Sequence, residues 1–459
     1  MDMRRYFVFL VIMFFLITLC VSCCKNKDGN QGGSGNSEHE DVADVYYNVI
    51  YDDKVKALEY VDETFLKFGD DGQIAAMKDF IVGIVNNTTA QIIKSTGVQN
   101  VELGYRKVAY SYNTVGIDGS PVELSSVAFW RGYFVDDTIW HDMSPENICL
   151  LEHYTITADY ESPTQGYPLE LLVTGNALTV MPDYIGYGLT SHMVHPYLNH
   201  DVCAQNSVDA LPAGYQLFED LSSVSVKSDW RLSVIGASQG GANALAVHKY
   251  MDSHSDFSNR WRFDYSFAAA GPHNPSLTIE KYFEDGKTAY PVALPFTLNS
   301  MFVSYPEILG KYDRNIMFSE NYLQWKDCVD EMLADKEFTA SEINNVFYEN
   351  VRVTVDEGLA DDEIYLVDIF SDLMFDEDSD FVKDLYKCLD KNDLTKGWTP
   401  SHSVKLFYSQ GDRTVPFENS VAVYDAFGPD VVTFTEADET LDHFTACGLW
   451  MVKVLVEGL

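Results

Sequence analysis

A few side chains far apart in the chain have the types and the order that acyl transfer needs. Gly236-Ala-Ser-Gln-Gly240 places a serine between glycines two positions either side, after the apolar run Leu232–Ile235 and before an Ala/Leu-rich stretch ending near Tyr250. Strand, sharp turn and helix is the setting that holds out a nucleophilic hydroxyl, because the turn leaves no room for side chains at the two glycines. A serine hydroxyl is a weak nucleophile at its own pKa, so it needs a base, usually an imidazole oriented by a carboxylate. Tyr408-Ser-Gln-Gly-Asp412 offers a carboxylate just past the strand Val404–Ser409, and Thr440-Leu-Asp-His443 offers an imidazole after the next strand, Val431–Phe434. Ser238, Asp412 and His443 in that order return to one edge of a parallel sheet. The competing acids Glu436, Asp438 and Asp442 do not directly follow the penultimate strand. His402 precedes its strand and falls at the wrong end, while His273, near the end of the sixth strand, stays a competitor for the base.

Two N–H donors must face the developing oxyanion. One is expected from the backbone of Gln239, at a helix N-terminus where the dipole assists. The other is expected from the loop Glu152-His-Tyr-Thr155, as the amide of Tyr154 or that of Thr155. No metal-ligand spacing and no phosphate-cradling glycine loop is present, so neither metal nor cofactor is expected.

The elements that must position these groups follow from periodicity. Val108–Trp130 reads as a β-hairpin turning at Gly116–Gly119, Ile148–Leu151 and Ala177–Met181 as short buried strands, and Phe263–Ala270 as another. Ala204–Leu221 reads as the crossover helix before the serine strand, with Pro212 an awkward residue within it. Strands interleaved with helices predict an α/β fold with a mostly parallel, doubly covered sheet, begun by an antiparallel hairpin. Residues 42–100 read as amphipathic N-terminal helices, residues 101–275 as the first part of the core and residues 401–459 as its second part. Between them, residues 276–400 lose the strand rhythm, carry helical periodicities and include the acidic run Asp376–Asp380. That stretch is too long for a loop and is expected to be an inserted cap or lid over the active-site edge.

The chain has 459 residues, 46% of them apolar, and a formal charge of −39. Phosphate neutralisation needs clustered Lys and Arg, so nucleic acid and anionic membrane surfaces are excluded as partners. Met1–Arg5 is basic and Tyr6–Val21 almost wholly apolar, a signal-peptide pattern too short to favour a membrane span. Ser22-Cys-Cys-Lys25 then resembles the lipobox of bacterial lipoproteins. The resemblance implies a signal peptide over 1–23 and acylation of Cys23, with Ser22 as the small residue before the cut and Cys24 as the alternative acceptor. Residues 24–41 form a Gly/Ser/Asn-rich tether. The implied location is an exported, membrane-anchored lipoprotein, otherwise a secreted protein, touching membrane only through that anchor. Five further cysteines, Cys149, Cys203, Cys328, Cys388 and Cys447, cannot all pair; Cys328 with Cys388 is the one disulfide considered.

His153-Tyr-Thr155, Pro182-Asp-Tyr-Ile-Gly-Tyr-Gly188, His195-Pro-Tyr-Leu198, Gly236–Gly241, Gly411-Asp-Arg-Thr-Val-Pro416 and Asp442-His443 together resemble the secretory-lipase type of α/β-hydrolase, over residues 105–275 and 400–455. The resemblance implies a secreted serine esterase or lipase with a helical lid inserted before the acid strand. Tyr154 departs from it, since such relatives tend to have glycine there. The reading is an extracytoplasmic serine hydrolase of small-molecule carboxylic esters. A serine exopeptidase of the same fold and a catalytically idle surface binding lipoprotein are the alternatives, and no oligomeric state is implied.

Overall fold

The computed structural model describes residues 45–68 and 72–458. The signal peptide, Cys23, Cys24 and the tether lie outside them. A ten-stranded mixed sheet runs through the molecule in the order β1-β2-β3-β6-β5-β7-β8-β11-β12, with β4 (Ile139–Asp142) paired to β3. The strands are β1 (Asn48–Lys56), β2 (Val101–Val115), β3 (Pro121–Val135), β5 (Asn147–Glu152), β6 (Ala177–Pro182), β7 (Leu232–Ala237), β8 (Phe263–Ala269), β11 (Ser403–Tyr408) and β12 (Val432–Glu436). β1, β2 and β3 pair antiparallel, β6 joins β3 antiparallel, and every pairing from β6 to β12 is parallel. Parallel strands need crossovers on the faces of the sheet, which explains why β5, β6 and β7 are mostly apolar and buried along almost their whole length, without alternation.

Helices α1 (Ala57–Phe65) and α2 (Gly72–Thr96) precede β2, α3 (His200–Leu221) and α4 (Gln239–Ser253) flank β7, and α8 (Glu418–Phe427) lies between β11 and β12. One face of the sheet packs on α3 and α4 through residues such as Leu211, Leu217, Leu245 and Val247. The other face is covered by α1, α2 and the C-terminal helix α9 (His443–Glu457), through Tyr60, Val61, Ile81, Trp450 and Val454. Helix α3 runs through Pro212, with the Tyr110 and Tyr112 hydroxyls donating to the Ala210 and Asn206 carbonyls at 2.8 and 2.9 Å.

The expectation of helices alone over 42–100 fails at β1. Tyr47, Val49, Ile50 and Tyr51 are aromatic or β-branched, which favours a strand. The charges that follow suit an edge: Asp52 receives a two-pronged bond from Arg106 at 2.8 and 2.7 Å.

The inserted segment forms its own apolar core, centred on fully buried Tyr322, Phe347 and Ile369. It includes α5 (Pro275–Asp285), α6 (Ala293–Ser304) and α7 (Asp380–Asp390), and a two-stranded ladder of β9 (Lys287–Thr288) and β10 (Ile364–Tyr365). Helix α6 has no clear sequence signature because it is buried on most sides and its polar residues Thr297, Asn299 and Ser300 are not set apart on one exposed face. Cys328 is exposed, Cys388 is buried, and both are free thiols, so the disulfide considered between them is not formed. Among the described residues no helix is long and apolar enough to cross a membrane.

Candidate active site

The turn between β7 and α4 is as sharp as its glycines imply. Ser238 has φ 57° and ψ −127°, a positive φ rare outside glycine. A Cβ on Gly236 would stand 2.2 Å from the Gly240 carbonyl oxygen, and one on Gly240 would stand 2.1 Å from the Glu152 carbonyl oxygen. Only hydrogen fits at either place. The turn is closed by Ser238 N–H donating to the Ala269 carbonyl at 2.8 Å and by Gly241 N–H donating to the Ser238 carbonyl at 2.9 Å.

Ser238 Oγ lies 2.9 Å from His443 Nε2, and His443 Nδ1 lies 2.6 Å from Asp412 Oδ2. The other Asp412 oxygen accepts the Thr414 and Val415 amides, both at 2.8 Å, so the carboxylate is held from both sides. Its side chain is 1% exposed. Gly411 is needed before it because a Cβ there would stand 2.4 Å from the Glu439 carbonyl oxygen, in the loop that carries His443. Burial opposes protonation of His443, but the Asp412 carboxylate and the neighbouring Cys447 sulfur together outweigh it and hold the imidazole well above the usual histidine value.

The competing acids and bases lie elsewhere. Asp442 caps α9, accepting the Thr445 amide at 2.8 Å; Asp438 accepts the Thr440 amide at 2.9 Å; Glu436 accepts from Gln410. His402 pairs with Asp252 at 2.7 Å. His273 is fully buried, with no hydrogen-bond partner on either ring nitrogen among the described residues.

Around the serine, Gln239 follows directly and opens α4. The Tyr154 amide donates to Glu170 Oε1 at 3.5 Å. Thr155, one residue on, lines the cavity that Ser238 opens into. His195, which no spacing in the sequence marks for a role, holds the residue after the serine. Its Nδ1 donates to the Ile185 carbonyl at 2.7 Å, leaving Nε2 to accept from the Gln239 side-chain amide, also at 2.7 Å. Burial, aided by nearby Lys336, pushes its pKa down to about 3, so the ring is neutral. Beneath the turn, buried Glu152 accepts from Tyr184 and Ser207 at 2.8 and 2.9 Å, and burial pushes its pKa up to about 7.

The inserted segment roofs the cavity. Tyr282, Ile279, Leu294 and Thr297 from α5 and α6 face Ser238, Thr155 and Val415 from the core. A second, wholly apolar cavity lies behind Ile279, Leu294 and Thr297, bounded by Phe283, Phe370 and Leu385. The roof is fastened by polar contacts. Lys336 Nζ donates to the Gly186 carbonyl at 2.8 Å, Arg413 pairs with Glu363 and Asp362 at 3.0 Å each, and the Tyr282 hydroxyl donates to the Thr414 carbonyl.

The strand order, the strained serine turn and the segment inserted ahead of the acid strand define the α/β-hydrolase fold. Solved structures of that fold superpose widely on the chain. The ligand-bound form of the rice cell wall degrading esterase LipA from Xanthomonas oryzae is 16% identical, with 90% of this chain and 96% of that one covered and a TM-score of 0.64. A Legionella pneumophila protein provisionally called a hydrolase is 17% identical, with the same coverage and TM-score. Candida antarctica lipase A in its closed state is 11% identical, with 89% and 82% covered and a TM-score of 0.50. No family model matches the chain, and no curated protein matches its sequence.

Proposed function

We propose that this protein is an exported serine hydrolase of carboxylic esters. The observation that carries the reading is the hydrogen-bonded line Ser238–His443–Asp412, at 2.9 and 2.6 Å, starting from a strained turn. Ser238 Oγ attacks the acyl carbon while His443 Nε2 takes its proton. Asp412 fixes the imidazole tautomer and stabilises the imidazolium. The amides of Gln239 and Thr155 hold the oxyanion; Thr155 takes the place considered for Tyr154, whose amide is turned to Glu170. His443 then protonates the leaving alcohol, and a water activated by the same imidazole releases the acid and restores Ser238.

The apolar walls around Ile279 and Leu294 suit an acyl chain better than a charged substrate. Export and acylation at Cys23 belong to the same proposal and rest on the N-terminal pattern. A Cys23→Ala variant is expected in the soluble fraction, with Cys24→Ala still in the membrane fraction. The test of the reaction is a series of p-nitrophenyl esters of rising chain length set beside aminoacyl nitroanilides. Turnover of esters alone supports the reading; turnover of nitroanilides alone would mark a peptidase, and turnover of neither a binding protein.

A further inference from the structure

His248, Asp252 and His402 converge far from the serine, with one donor atom from each lying within 4.8 Å of the others. His248 and Asp252 stand one turn apart near the C-terminal end of α4, and His402 immediately precedes β11, where the chain returns from the inserted segment. Asp252 Oδ1 is 2.7 Å from His402 Nδ1, and Asp252 Oδ2 is 3.1 Å from His248 Nε2. His248 Nε2, in a side chain 0% exposed, makes no hydrogen bond among the described residues and meets Asp252 only through this ion-pair contact.

The surroundings complete such a site. Ser266 Oγ lies 2.7 Å from His248 Nδ1 and can accept its proton, which leaves the Nε2 lone pair facing Asp252. Ser401 holds the carboxylate, its amide 2.7 Å from Oδ2 and its hydroxyl 2.6 Å from Oδ1. Outer partners of this kind orient ligands in metal sites. Phe263 and Trp398 pack their rings 4.8 and 5.4 Å from that of His248, while the His402 side chain, 31% exposed, leaves a way in.

We propose that His248, Asp252 and His402 bind a divalent transition-metal ion, with Zn²⁺ the best match to two imidazoles and a carboxylate. Bonds of about 2.1 Å in a tetrahedral site place donors about 3.4 Å apart, a spacing that lies between the 2.7 and 3.1 Å contacts of the Asp252 oxygens and the 4.8 Å that bounds the set, with water as the fourth ligand. The ion ties the end of the serine-bearing helix to the returning chain. It stands apart from the triad and takes no part in turnover. Ligand spacing could not announce it, because His402 is 150 positions from Asp252.

The test uses the mature chain without a histidine tag, stripped with a chelator and titrated with Zn²⁺ against a chromophoric competitor, with thermal unfolding followed in parallel. One ion is expected to bind, at least about tenfold more tightly than in His402→Ala or Asp252→Asn, and to raise Tm in the parent protein only. His402 is partly exposed, so its alanine variant decides the matter should Asp252→Asn fail to fold. Unchanged binding in His402→Ala, or no binding by the parent at about 100 µM Zn²⁺, overturns the proposal.

Discussion

The Gln239 side-chain amide donates to His195 Nε2 at 2.7 Å, tying the residue after the serine to the loop that follows β6. The Gln239 side chain is buried, and its backbone is the proposed oxyanion donor, so the bond fixes the angle of an amide that must not drift. Misplacement by about 1 Å costs about 10²-fold in rate. His195→Phe is therefore expected to lower kcat by about that factor, with KM within about threefold. Steady-state kinetics on a soluble ester checks it; an unchanged kcat in a folded variant would remove His195 from the account.

The pH profile follows from the pair His443 and Asp412. His443 must be neutral to take the serine proton, and against the effect of burial the carboxylate 2.6 Å away, with Cys447, holds its pKa above the ordinary value. The acid limb of kcat/KM should thus have its midpoint above about 6.5, the unperturbed histidine value. Asp412→Asn should move that midpoint down and cut kcat by about 10⁴-fold. A limb centred well below 6.5 in the parent protein would contradict this.

Stability carries a separate pH signature at His273. Burial, then the neighbouring His200, pushes its pKa down to about 3, while the unfolded chain returns it to about 6.5. Between those values the unfolded state binds more protons, so the contribution is complete above about pH 6.5 and is lost as pH falls. His273→Leu removes one such proton, and the slope of unfolding free energy near pH 5 should fall by about 1.4 kcal/mol per pH unit. Denaturant titrations at pH 7 and pH 5 measure it, and equal slopes in the two proteins would refute it.

Chain-length preference should respond to the partition between the two apolar cavities. Ile279 borders both, with Leu294 and Thr297. Ile279→Ala is expected to join them and shift the best p-nitrophenyl ester to a longer acyl chain, at a stability cost of about 2 kcal/mol. A preference that stays put would show that acyl chains do not run toward α5.

Much of this arrangement was legible in the sequence, for stated reasons. Gly236 and Gly240 announce the turn because backbone oxygens stand where their side chains would be. Asp412 and His443 were legible because each follows a strand of the parallel sheet, which returns them to one edge. The β1 strand was misread because its charges mimic a helix face, and α6 was missed because a helix buried on most sides has little periodicity. The turning of the Tyr154 amide to Glu170, the grip of His195 on Gln239 and the meeting of His402 with Asp252 are tertiary contacts with no local signature.

The central claim is that Ser238 is the nucleophile, and a fluorophosphonate probe tests it most directly. Incubation with the probe, followed by digestion and peptide mass analysis, should find one adduct, on the peptide containing Ser238. Labelling should disappear in Ser238→Ala and fall steeply in a folded His443→Ala variant, because the hydroxyl loses the base 2.9 Å away. An adduct on any other residue, or equal labelling of Ser238→Ala, would contradict the account.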